Sequence, residues 1–126
     1  MRGVLLISLG GVLGALARYG AGTAVQRLFG MGFPYGTLAV NLSGCLAIGA
    51  LLYFSQDRAP LSVAARQFLA IGFLGSFTTF STFGVETFVL LRDGAVAAAA
   101  LYVGASVGLG LAAVWLGHGL AAALAR

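Results

Sequence analysis

The stretch GFLGSFTTFSTFG, residues 72–84, lies inside an apolar run that begins near Gln67 and continues to Leu91. A run of that length is long enough to cross a bilayer as a helix. Yet it packs the hydroxyls of Ser76, Thr78, Thr79, Ser81 and Thr82 into seven residues, and Phe77, Phe80 and Phe83 recur at every third position. Gly72, Gly75 and the Thr78–Thr79 pair are poor helix formers, so the sequence predicts a break near Gly75–Thr78. Irregular backbone at membrane depth is tolerated where it is buried in protein or lines a cavity. Carbonyls freed at such a break can bind a cation. Beyond the break, Phe80 and Phe83 share a helix face, and Thr79, Thr82 and Glu86 form a line at i, i+3 and i+7. Hydroxyls donate to anions, and a phenyl ring is electropositive at its edge. Phe80 to Phe83, with Ser81 and Thr82, therefore reads as the lining of an anion path. For any one of these residues, packing with a helix-bonded hydroxyl is the simpler reading, but it strains to cover the whole set.

The composition places the stretch in a membrane protein. Of the 126 residues, 60% are hydrophobic and only 8% charged, and the mean hydropathy is +1.03. A soluble domain carries far more charge. The net charge of +4 comes from seven arginines scattered at the ends of apolar runs, against Asp57, Glu86 and Asp93. That pattern suits membrane topology better than nucleic acid. Cys45 is the single cysteine, which excludes an intrachain disulfide.

Four spans follow, at about residues 3–25, 35–54, 67–91 and 95–116, and residues 1–126 read as one four-helix transmembrane domain. The first run is read as a span rather than a cleaved leader, because Gly10, Gly11 and Gly14 dilute it and it resumes after Arg18. Gly30, Gly32 and Pro34 make the first connection, and Ser55 to Pro60 the clearest loop. Trp115 and His118 are expected near the end of the fourth span. Four spans put both termini on one side. The arginine bias between the two sides is small, so orientation is weakly specified. Gly10/Gly14 and Gly104/Gly108 form GxxxG pairs that allow close helix approach.

Enzyme chemistry has little to work with. There is one histidine, no metal-spaced His/Cys cluster and no Ser-His-Asp set. The polar residues within the spans are mostly neutral donors. Thr37 and Asn41 share a face of the second span, with Gly44 close to the same side. Tyr102 and Ser106 share a face of the fourth, and suit either the same lining or an interhelical bridge.

GTLAVNLSG (36–44) and GFLGSFTTFSTF (72–83), with the Gly-rich first span and Arg18-Tyr19, resemble the signatures of the Fluc/CrcB fluoride channels over essentially the full chain. The resemblance implies an all-α, dual-topology homodimer of antiparallel subunits with two fluoride pores. It places Asn41, Phe80 and Phe83 in the pore, with a polar track at Thr37, Thr82, Glu86, Tyr102 and Ser106. It also implies a structural sodium ion on the dimer axis, held by the Gly75 and Thr78 carbonyls of both copies. The setting would be the prokaryotic inner (cytoplasmic) membrane, and the role passive export that lowers fluoride toxicity. Hydrogen fluoride crosses bilayers uncharged and dissociates in a less acidic cytoplasm. An inside-negative potential then favours anion exit by about 2.3 kcal/mol per charge per 100 mV. The rival reading is a small multidrug-type, proton-coupled cation exporter. Such proteins use a carboxylate in the first span, where this chain has none.

Overall fold

A computed structural model of the chain describes residues 1–55 and 61–125. The expected loop lies outside the described residues from position 56 onward, as do Asp57, Arg58 and Arg126. Among the described residues the regular structure is entirely helical. Helix α1 spans Arg2–Phe29 and α2 spans Tyr35–Tyr53. The third span is composite. Helix α3 (Val63–Ala65) leads into a π-helical stretch, Arg66–Leu74, and then a single turn, α4 (Gly75–Phe77). After a break comes α5 (Phe80–Arg92), and α6 covers Val96–Leu124. Among the described residues, four stretches are long and apolar enough to span a bilayer.

Local chemistry sets the ends. Gly30 leaves α1 at φ 90, and Gly94 turns the chain from α5 to α6 at φ 77; both lie in the left-handed region that favours glycine. Ser62 caps α3, its hydroxyl accepting from the Ala65 N–H at 3.1 Å. The helices overrun several expected limits. Helix α6 continues past Trp115 and His118 to Leu124, because the Gly/Ala/Leu sequence beyond them contains no breaker strong enough to stop it. At about 1.5 Å per residue, its 29 residues exceed a hydrocarbon core of roughly 30 Å, so it must tilt or project.

Close backbone contact organises the packing. Helix α2 lies along α6, where a methyl group at Gly49 would strike the Val114 carbonyl and one at Gly117 the Leu46 carbonyl. Helix α1 lies along the π-helical stretch, with Gly10 against the Phe68 carbonyl and Gly14 against that of Phe73. These contacts exclude any side chain and bring main chains together as membrane helices do. The second GxxxG pair behaves differently. Gly104 and Gly108 are exposed, and a methyl on either would meet no atom within 4 Å. The buried apolar core is small: Val40, Tyr53, Leu74, Ala99, Tyr102 and Ala121. Leu5, Leu16, Leu109, Leu111 and Trp115 face outward. That distribution is costly in water and natural in lipid.

Candidate functional site

The break in the third span lies at Thr78–Thr79, at the end of the expected interval. Gly75 is still helical, with φ −62 and ψ −29. Thr78 is extended at φ −81, ψ 159, and Thr79 at φ −150, ψ 118. Side chains produce the break more than the glycines do. The Asn41 amide clamps the Thr79 backbone from α2: the Thr79 N–H donates to Oδ1 at 2.8 Å, and Nδ2 donates to the Thr79 carbonyl at 3.0 Å. Thr79 then starts α5, its hydroxyl accepting from the Thr82 N–H at 3.2 Å. In an uninterrupted helix the Thr79 and Thr82 amides would donate to the carbonyls of Gly75 and Thr78. Both donors are redirected, one to Asn41 and one to a hydroxyl. Gly44 completes the seat, since a methyl there would strike the Thr78 side chain.

Thr79 is also the hub of a hydroxyl cluster. Its Oγ1 donates to Thr82 Oγ1 at 3.0 Å and lies 3.3 Å from Ser81 Oγ. Thr79 is buried, whereas Ser81 and Thr82 are exposed on the single chain. Phe80, 83% exposed, lies 5.5 Å from Phe83 between ring centroids, and Phe83 lies 5.1 Å from Tyr102.

Two cavities meet at Thr79. The first, about 470 Å³, is lined by Asn41, Gly75, Thr78, Thr79, Phe80, Phe83 and Ser106, with Cys45 and Ile48 among its apolar walls. Ser106 Oγ is buried there without a hydrogen-bond partner. The second, about 370 Å³, is more polar; its lining includes Arg18, Thr23, Gln26, Thr37, Thr79, Thr82 and Glu86. The residues singled out in the sequence thus divide into two neighbouring groups. Ser81 and Tyr102 line neither cavity. Tyr102 is fully buried and acts as an interhelical bridge, its hydroxyl donating to Glu86 Oε2 at 2.6 Å. Thr37 donates to the other oxygen, Oε1, at 2.8 Å. Glu86 therefore accepts from α2 and α6 at once. Among the described residues no salt bridge reaches it, although Arg18 lines the same cavity.

The sequence assigned no site role to Thr23 or Gln26, and placed Thr79 only on the polar line with Thr82 and Glu86. The signal for Thr79 was a hydroxyl one residue before a helix start, and for Gln26 an amide four residues before a glycine stop.

The CrcB-like protein, Camphor Resistance (CrcB) family model matches residues 5–118. A Thermus thermophilus protein named fluoride-specific ion channel FluC is 50% identical over 124 residues, covering 98% of each chain. A protein of the same name from Chloroflexus aurantiacus is 48% identical over 120 residues, covering 95% of each chain. One from Acidobacterium capsulatum is 47% identical over 113 residues, covering 90% of each. With the signature stretches forming the broken span and its clamp, and the match running nearly end to end, this multi-pass membrane chain belongs to the CrcB-like family.

Proposed function

We infer that the chain is a subunit of a passive, fluoride-selective channel that lets the anion leave the cytoplasm. The observation that carries this reading is the first cavity. It offers Asn41, Thr79 and Ser106 as neutral polar groups beside Phe80 and Phe83, in a chain whose relatives are named fluoride-specific channels. Fluoride is small and strongly hydrated, so a selective pore must replace water with close donors. Hydroxyl and amide hydrogens and ring edges do so without a cationic side chain that would trap the ion. The activity is transport, not catalysis.

The functional unit we propose is an antiparallel homodimer in the prokaryotic cytoplasmic membrane. In support, Gly75, Phe80, Ser81, Thr82, Gly104 and Gly108 are all uncovered on one chain. Small and polar residues of this kind suit a helix interface within the bilayer. The pore would be completed by Asn41, Phe80, Ser81, Phe83 and Ser106, with Thr37, Thr82, Glu86 and Tyr102 as the flanking track. A sodium ion at the centre would be held by the Gly75 and Thr78 carbonyls. Their helical donors, the Thr79 and Thr82 amides, are redirected. Neutral carbonyl oxygens at a helix break suit a hard monovalent cation, and a second copy would double the set. Bound sodium would supply a fixed positive charge that ties the two subunits together.

The rival exporter reading has no carboxylate in α1 to work with. The reading is tested in cells that lack their own fluoride export. Expression of the chain is expected to restore growth in fluoride, and a Phe83→Ile variant to lose that rescue. Resistance to organic cations without fluoride tolerance would favour the exporter.

A further inference from the structure

We propose that Gln26 is a positioning residue for the polar cavity, setting the hydrogen bonds of Glu86 without touching it. The inference rests on the channel reading above. Gln26 lies in the last turn of α1 and spends its amide on the connection to α2. Nε2 donates to the carbonyls of Gly30 and Phe33, the latter at 2.9 Å, and Oε1 accepts from the Gly36 N–H at 3.0 Å. Both amide hydrogens are thereby used. The Gly36 N–H is one of the first-turn donors that a helix cannot satisfy internally. Pro34, at the cap position of α2, has no side chain able to accept it. Gln26 supplies that cap from the neighbouring helix. The two helices are also in close contact here, since a methyl at Gly36 would strike the Gly22 carbonyl.

The tied segment carries the supports of Glu86. Thr37 follows Gly36 directly and donates to Glu86 Oε1. Phe33 sets its ring edge-on to Tyr102, with centroids 5.5 Å apart at 79°, and Tyr102 donates to Glu86 Oε2. Thr37 thus rests on backbone that the Gln26 amide holds, and Tyr102, from α6, meets the same segment through the Phe33 ring. Releasing the turn frees Glu86 to present an unsatisfied carboxylate to the cavity it shares with Thr82, which repels an anion.

The test is Gln26→Met, which keeps length and removes every strong hydrogen-bonding atom. Fluoride efflux from proteoliposomes is expected to slow about tenfold, the effect of a carboxylate charge straying toward the passing anion, with the elution volume unchanged. In a Glu86→Gln background the same change is expected to leave efflux within about twofold, because no charge remains to stray. The second readout does not need transport. The carboxylate stretch of Glu86 in the infrared difference spectrum, identified by its absence in Glu86→Gln, is expected to shift in Gln26→Met. An unshifted band, or an equal slowing in both backgrounds, overturns the proposal. Absence of fluoride efflux from the wild type would instead remove the channel reading, while the band shift would still report on the positioning role.

Discussion

Replacing Asn41 with aspartate separates the two tasks assigned to this residue. The substitution preserves shape and still accepts from the Thr79 N–H, now 2.8 Å from Oδ1. It loses the Nδ2 donor to the Thr79 carbonyl at 3.0 Å and places an oxygen there instead. The orphaned carbonyl costs about 1–3 kcal/mol of stability. The larger effect falls on conduction. An ionised carboxylate ~4 Å from a passing anion repels it by about 4 kcal/mol at an effective dielectric constant of ~20. That corresponds to about a thousandfold loss of flux. Fluoride efflux from proteoliposomes, read with an ion-selective electrode, measures it, and Asn41→Ala serves as the uncharged control. Asn41→Ala should lose stability yet conduct better than Asn41→Asp. Equal flux in Asn41→Asp and wild type would refute a pore position for Asn41.

Other perturbations test separate parts. Thr79→Val keeps the branched shape but removes the cap on Thr82; a loss of about 1 kcal/mol should appear as a lower Tm. Phe80→Ile or Phe83→Ile removes a ring contribution of about 0.5–1.5 kcal/mol, and should cut fluoride flux up to about tenfold while the elution volume stays constant. Gly117→Ala pushes a methyl into the Leu46 carbonyl; the overpacking costs about 1–3 kcal/mol, visible as reduced thermal stability in detergent. Replacing sodium with a large inert cation should weaken subunit association, followed by cross-linking yield, whereas an unchanged yield would remove the carbonyl cation site.

How far the sequence revealed this arrangement varies with the physics involved. The spans were legible because apolar runs bounded by arginines and glycines depend only on composition. Their ends were less so, as α6 shows: an aromatic and a histidine suggested a boundary, but helix continuation needs only the absence of a breaker. The break was expected from Gly72, Gly75 and the Thr78–Thr79 pair; Gly75 stays helical, and the interruption comes at the threonines. Its cause, the amide of Asn41, lies 38 residues away in the chain, and such a contact leaves no local pattern. The shared face of Thr37 and Asn41 was readable from their four-residue spacing, but their different targets were not. One bonds Glu86 and the other Thr79. Tyr102 illustrates the same limit: its spacing from Ser106 allowed a lining or a bridge, and the bond from its hydroxyl to Glu86 on another helix had no signature in that spacing.

On the channel reading, the wild-type chain conducts fluoride passively and selectively. Purified protein in liposomes loaded with both fluoride and chloride, with the membrane potential set by a potassium gradient and an ionophore, tests it most directly. Rapid fluoride efflux that follows the potential, needs no proton gradient and leaves chloride inside is expected. Equal loss of chloride, or fluoride movement only against an imposed proton gradient, would contradict it.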